Sequence, residues 1–305
     1  MNGKRLFWHL IAIGIVCVWG SCFIMTNEMM RYYSAIEIIP MRMGMGYLTL
    51  LLIHPPKKRY TFRQELIFVG FGLLGGSIYY LVQNSAINYM APSNVSIIYS
   101  LSPMLGVVIT HFLPGGKRKW EKNVFLGGII AILGIVLVVT EGKFEARLNL
   151  TGVILAFLAG LFWALYTIVV SRYSPSDDTY ETTRKMLFWA TVTSVPMVLA
   201  TGGIPDLTFL VTVPRVLVSW LLLGVLGTGL AYVLWNVSID RLGLIITNNY
   251  LYGISFAAMA AEALLYHTKI LPIRLLGAVL ITFGVIIAGK TNAMIKTDNQ
   301  VGKAG

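Results

Sequence analysis

The chain has 305 residues, of which 56% are hydrophobic and only 12% charged, with a net charge of +11. An ordinary soluble domain carries about 25% charged residues, so this chain cannot clothe a globular surface, and its mean hydropathy of +0.74 points to lipid. The two cysteines, Cys17 and Cys22, fit neither a disulfide framework nor a C-x-x-C zinc or redox site, which sets aside small secreted scaffolds along with soluble enzymes.

A helix that crosses a bilayer needs about 20 mostly apolar residues. Windows of that size predict ten spans in chain order: 6–25, 36–53, 66–87, 95–113, 124–140, 150–170, 186–201, 216–239, 244–266 and 270–289. The first follows Lys4 and Arg5 and resembles a signal peptide in outline, but Trp19 stands before Gly20-Ser21-Cys22 where a small residue is needed for cleavage. It reads as an uncleaved helix, with both cysteines as small packing residues. The second span carries Glu37 and Arg42, and the tenth opens on Pro272 and Arg274. The loops between spans are too short for an extramembrane domain.

The basic excess is topological. Loops on the side of the N-terminus collect Lys4, Arg5, Lys57, Lys58, Arg59, Arg63, Lys117, Arg118, Lys119, Lys122, Arg172, Arg184, Lys185, Arg241, Lys290, Lys296 and Lys303, seventeen in all. The opposite side collects six: Arg31, Lys143, Arg147, Arg215, Lys269 and Arg274. Cationic loops stay cytoplasmic, so both termini are expected there, beside anionic lipid, and no nucleic-acid partner is expected.

The chain repeats itself. Residues 71–87, with Gly72, Gly75, Tyr80, Asn84 and Ile87, align without a gap on 223–239, with Gly224, Gly227, Tyr232, Asn236 and Ile239. Leu126-Gly127-Gly128 and Gly134 match Leu276-Gly277-Ala278 and Gly284, and Trp19 matches Trp163. Each repeat holds five spans, an odd number, so the second enters the membrane from the opposite side. Such inverted halves are related by a two-fold axis in the membrane plane, with a binding site expected near the midplane between them. The expected fold is an all-α membrane protein of ten transmembrane helices in two inverted five-helix repeats, 1–145 and 146–290, followed by a cytoplasmic tail, 291–305.

These motifs resemble the drug/metabolite transporter superfamily, and within it the EamA-type exporters. The matching residues are Val18-Trp19-Gly20-Ser21, Pro40-Met41-Arg42, Asn84-Ser85-Ala86, Ser100-Leu101-Ser102-Pro103, the Gly127 to Gly134 spacing, Leu161-Phe162-Trp163-Ala164-Leu165-Tyr166 and Leu275-Leu276-Gly277-Ala278. Two departures stand out. The family's Gly-Glu pair after the fourth and ninth spans is absent from Pro114-Gly115-Gly116-Lys117 and Tyr266-His267-Thr268-Lys269, and the ninth span has no counterpart of Pro103. The resemblance implies a central cavity lined by spans one, three, four, six, eight and nine. It also implies a secondary transporter, an exporter of a small metabolite such as an amino acid, in a bacterial inner membrane. An uncoupled facilitator and a non-transporting sensor or assembly subunit are the alternatives.

Polar faces can be read independently, since amides and hydroxyls find no partner in lipid. In span nine, Asn248, Tyr252, Ser255, Met259 and Glu262 recur at helical steps. Span four offers Ser96, Ser100 and Pro103; span three Tyr80, Gln83 and Asn84; span eight Tyr232, Trp235 and Asn236; spans one and six Trp19, Trp163 and Tyr166. Each could touch substrate or simply tie helix to helix, at about 0.6 kcal/mol per contact. Trp19, Tyr80, Trp163, Trp235 and Tyr252 together predict an amphipathic pocket. Charge inside a bilayer costs about 2.5–3.5 kcal/mol or more, which singles out three residues for coupling or gating. Arg42 could pair with Glu37 or snorkel to the interface; Glu262 could take up a proton as the coupling ion, or pair with a neighbouring helix. His9, His111 and His267 sit near span ends and read as interfacial. The sequence has no H-E-x-x-H, P-loop or G-x-S-x-G motif, so neither enzymatic chemistry nor ATP drive is expected, and no metal or cofactor. Asn149-Leu150-Thr151 is a formal glycosylation sequon.

Overall fold

Lipid offers the backbone no hydrogen-bond partner, so each apolar run must close its own bonds as helix. A computed structural model describes residues 3–56, 58–112, 122–141, 149–176, 178–201, 204–243, 246–247 and 250–301. The helices are α1 (Gly3–Met29), α2 (Ile38–Ile53), α3 (Phe62–Ile87), α4 (segments Pro92–Tyr99 and Ser102–Phe112) and α5 (Lys122–Thr140). The second set is α6 (Leu150–Tyr173), α7 (Thr179–Ala200), α8 (segments Pro214–Leu221, Leu222–Leu230 and Ala231–Leu242), α9 (Gly253–Tyr266) and α10 (Pro272–Val301), with a short helix, Thr208–Thr212, before α8. Among the described residues, five runs are long and apolar enough to cross a membrane, in α1, α3, α4, α6 and α8, and shorter apolar helices make up α2, α5, α9 and α10. The chain is thus an all-helical, multi-pass membrane protein.

Local chemistry sets the helix ends. Pro92 and Pro214 occupy first-turn positions, where a missing N–H costs nothing. Thr61 and Gln64 form a reciprocal capping box at the start of α3. Asn149, the sequon asparagine, caps α6 by accepting from Gly152 N at 3.2 Å, and Asp178 caps α7 by accepting from Tyr180 N at 2.9 Å. Pro103 has no N–H for the preceding turn, and α4 breaks there at Ser100 and Leu101.

Two irregularities mirror each other. α3 widens into a π-helix over Leu73–Ser77 and α8 over Leu222–Leu230, which are aligned positions of the repeat. The packing obeys the same symmetry. α1 packs on α8 and α9, and α6 on α3 and α4; α2 packs on α8, and α7 on α3; α2 meets α7, α4 meets α9 and α5 meets α10. Exchanging α1–α5 with α6–α10 maps this set onto itself. The bundle therefore has a pseudo-two-fold axis, and most of its contacts run between the halves rather than within them.

Close approach needs glycine at specific places. A Cβ on Gly72 would lie 2.6 Å from Ala190 N and 2.7 Å from the Trp189 carbonyl carbon, so α3 and α7 touch backbone to backbone. At the far edge, Gly134 of α5 and Gly277 of α10 face each other's carbonyls in the same way, at 2.7 and 2.8 Å. The outer face of α5, with Phe125, Ile129, Ile132 and Val136, is exposed and faces lipid.

Gly72→Val is expected to wedge α3 from α7 and to cost about 1–3 kcal/mol. Gly70→Ala, with nothing within 4 Å, should not lower stability. Thermal or denaturant unfolding in detergent separates the two.

Candidate functional site

Trp19 and Trp163 hold equivalent places in the two halves, and so do Tyr80 and Tyr232. The structure brings each to its own counterpart. The Trp19 and Trp163 rings meet edge to face at 6.1 Å, and the Tyr80 and Tyr232 hydroxyls lie 3.3 Å apart. Two pairs of mates in contact place the pseudo-two-fold axis through this cluster. Trp19 also packs on Tyr232 at 5.7 Å and on Trp235 at 5.0 Å, while Trp163 contacts Tyr79 at 5.5 Å and Tyr166 at 5.4 Å.

The aromatic rings surround a small cavity of about 20 Å³ lined by Trp19, Cys22, Phe23, Arg42, Tyr79, Tyr80, Gln83, Tyr99, Trp163, Tyr232 and Ile254. That volume is close to the minimum for one water, roughly 10–15 Å³.

The π-helical turns matter here. A π turn shifts backbone pairing from the fourth to the fifth residue. In α8, Trp19 Nε1 donates to the Gly227 carbonyl at 2.9 Å, and Thr228 Oγ1 donates to the Leu223 carbonyl, five residues back, at 2.7 Å. Thr228 Oγ1 in turn accepts from Arg42 Nε at 2.8 Å. Arg42 is only 2% exposed and places its guanidinium carbon 4.0 Å from the Tyr80 ring centroid, a cation–π contact. Among the described residues, Arg42 is thus the cation that lines the central cavity, bonded to the Thr228 hydroxyl, covered by the Tyr80 ring and with the Cys22 thiol beside it.

The residues expected to line a pocket divide. Trp19, Tyr80, Gln83, Trp163 and Tyr232 line the cavity; Trp235 packs at a tilt behind Trp19, and Tyr166 behind Trp163 over Gly75. Gln83 accepts from the Tyr79 hydroxyl. The rest of the list packs elsewhere. Asn84 donates to the Ala35 carbonyl at 2.9 Å, and Ser96 and Ser100 bond back to the carbonyls of Ser93 and Ile97 in their own helix. Tyr252 packs with Met259 against Ile97, Leu101 and Ala278, in a cluster of α4, α5, α9 and α10 beside the site. Asn248 lies outside the described residues. Arg42 neither pairs with Glu37 nor snorkels: Glu37 accepts from Ser34 N and Oγ, both at 2.7 Å, in the turn before α2.

The lining also includes Cys22, Phe23, Tyr79, Tyr99 and Ile254, with Thr228 bonded to Arg42 behind them. Sequence offered a signal for some. Trp19, Cys22 and Phe23 follow helical spacing on one face, and Thr228 stands where the first repeat has Gly76.

Ion pairs and polar contacts lie at both ends. At the end holding the N-terminus, Lys185 pairs with Glu65, Trp189 Nε1 donates to Glu65 Oε2 at 2.7 Å, and His9 bonds Tyr250 Oη at 2.6 Å. At the opposite end, Glu262 faces Arg274 at 3.4 Å and accepts from Ser93 N at 3.3 Å, and Glu28 pairs with Arg31 at 3.0 Å. In the loop there, Tyr33 donates to the Asp206 carbonyl at 2.8 Å, and burial pushes its phenol above the usual range. The Asp206 carboxylate accepts from Thr208 N at 3.0 Å, which holds it below the usual carboxyl range.

The fold and its central aromatic cluster define a multi-pass helical membrane protein built from two similar halves. The profile of the EamA-like transporter family matches residues 6–140 and 150–289, and the chain belongs to that family. It is 23% identical over 293 residues to "Uncharacterized transporter YyaM" of Bacillus subtilis (strain 168), covering 93% of this chain and 94% of the relative. Over 165 residues it is 26% identical to "UDP-galactose/UDP-glucose transporter 4" of Arabidopsis thaliana, covering 51% of this chain and 42% of that one. A crystal structure of a protein with 16% identity superposes with a TM-score of 0.63 over 92% of this chain and 95% of that one. The protein is therefore a membrane transporter, with a small molecule as its cargo and the bilayer as its surroundings.

Thr228→Val is expected to destabilise the fold by about 1–3 kcal/mol, because it leaves the buried Arg42 Nε without its hydrogen-bond partner. Thr228→Ser should retain most of the stability. Unfolding midpoints of the two variants in detergent check this.

Proposed function

We propose that the chain is a secondary transporter that carries a small metabolite, such as an amino acid, out of the cell by alternating access. The observation that supports this reading most is the contact of repeat mates around a small cavity: Trp19 with Trp163 and Tyr80 with Tyr232. Two similar halves of opposite orientation can exchange conformations, so that an opening to one side is the approximate image of an opening to the other. In this reading the halves 1–145 and 146–290 rock about the Tyr80–Tyr232 contact, both termini are cytoplasmic, and the ties at the two ends break in turn. The Glu65–Lys185 pair guards one end and the Glu262–Arg274 pair the other.

Glu262 carries the coupling proton in this scheme. Its carboxylate faces Arg274 from α10 and Ser93 from α4, and Glu28 and Arg31 pair with each other at the same end. Protonation removes the charge that Arg274 meets and releases α9 from its neighbours.

The test is flux in proteoliposomes, after a screen of amino acids and related metabolites for thermal stabilisation of the purified protein; a ligand at 100 times its Kd adds about 2.7 kcal/mol. Accumulation against a gradient is expected. Equilibration alone would make the protein a facilitator, and absence of flux with every stabilising compound would remove the transport mechanism altogether. Alanine at Trp19, Tyr80 or Trp163 should lower kcat/KM by tenfold or more. Glu262→Gln should keep substrate exchange and lose accumulation driven by a pH gradient; a variant that still accumulates would rule Glu262 out as the proton site.

A further inference from the structure

The described residues bury three glutamates, Glu28, Glu181 and Glu262, and each has its own arginine: Arg31, Arg184 and Arg274. Two arginines are themselves fully enclosed, Arg184 and Arg42. Arg184 answers Glu181. Among the described residues no carboxylate pairs with Arg42.

What surrounds Arg42 orients it without neutralising it. Thr228 takes its Nε at 2.8 Å, the Tyr80 ring covers one face of the guanidinium at 4.0 Å, and the Cys22 thiol lies beside it. Its Nη1 is buried with no hydrogen-bond partner, and the side chain lines the central cavity beside Trp19, Trp163 and Tyr232. A buried charge left unpaired is strongly unfavourable, and a guanidinium locked in plane is the side chain best matched to a flat or tetrahedral oxyanion through parallel N–H donors. Repeat symmetry does not explain it either, since the pseudo-two-fold axis passes through the site but the charge comes from α2 alone.

We infer that Arg42 binds the anionic group of the cargo. The transported molecule is an organic oxyanion, a carboxylate or a phosphate monoester, with an apolar or aromatic body that packs against Trp19 and Trp163. This rests on the transport reading above and adds to it the charge class of the substrate. The bound anion supplies the missing partner for Nη1, and the body of the ligand expands the small cavity.

The experiment uses the full chain in detergent and three probes of similar shape: benzoate, its neutral isostere benzamide, and phenyl phosphate. Binding is read by isothermal titration and by thermal shift. At least one anion should bind saturably and at least tenfold more tightly than benzamide, and the preference between benzoate and phenyl phosphate identifies the oxyanion. Arg42→Gln should bring the anion down to the level of benzamide, and Arg42→Lys should keep part of the preference. Equal affinity of the wild-type chain for benzoate and benzamide would overturn the proposal, as would the absence of saturable anion binding. So would an Arg42→Gln variant that binds the anion like the wild type. The wild-type comparison needs no variant, so a misfolded Arg42→Gln leaves the proposal open to refutation. Flux separates this proposal from the transport mechanism. Charge-selective binding without flux keeps the site and removes the mechanism; flux of a neutral cargo without anion preference keeps the mechanism and removes the site.

Discussion

Trp19 rests against Trp163, and the Tyr80 hydroxyl reaches that of Tyr232, so each half of the chain meets its own copy at the centre of the bundle. Self-pairing of this kind constrains everything around it. If α1 and α6 touch across the axis, their neighbours α8 and α3 must flank them in matching places, and α2 must meet α7 beyond them. The observed helix pairings follow that logic out to the α5–α10 clasp at the edge. Without a hydrophobic driving force between helices in lipid, such contacts rest on close packing of small residues, and the glycines lie where the backbones meet.

The symmetry fails at the centre of the bundle. Both α3 and α8 widen into π turns, but only α8 places Thr228 beside its widened turn; α3 has Gly76 at the aligned position, against Ala190. Thr228 bridges the Leu223 carbonyl and the Arg42 guanidinium. A symmetric bundle alone would enclose an aromatic box. The asymmetric pair Arg42–Thr228 gives the box a charge, and the resulting site is polar on one side and apolar on the other. The two ends likewise carry different ion pairs, Glu65 with Lys185 at one and Glu262 with Arg274 at the other.

Much of the central site was legible because aromatic residues in aligned repeat positions must share an environment. Trp19 with Trp163, and Tyr80 with Tyr232, could be named from the alignment alone. The polar-face reading was less discriminating. Ser96 and Ser100 stand on one face of α4, yet both hydroxyls bond to carbonyls of their own helix three residues back, an option always open to serine and threonine in a helix. Their spacing carries no information about a cavity. The same holds for span nine, whose regular face of Ser255, Met259 and Glu262 seals α9 against α4 and the α5–α10 pair, while Ile254 on another side reaches the cavity. Hydropathy had marked Arg42 as costly, but proximity in sequence suggested Glu37 as its partner, and Glu37 is held by Ser34 in the turn before α2.

The sequence by itself determined the helical spans, the internal repeat and the aromatic residues at its core, because the length of an apolar run and the order of repeated glycines and aromatics are one-dimensional facts. Only the tertiary structure decided which polar side chains face the cavity, that α3 and α8 open into π turns, and that Arg42 lies under Tyr80 with no carboxylate beside it. These depend on the rotation of each helix about its own axis and on contacts between residues more than 150 positions apart, as in Tyr80 with Tyr232 and Arg42 with Thr228, and no local pattern in the chain encodes them.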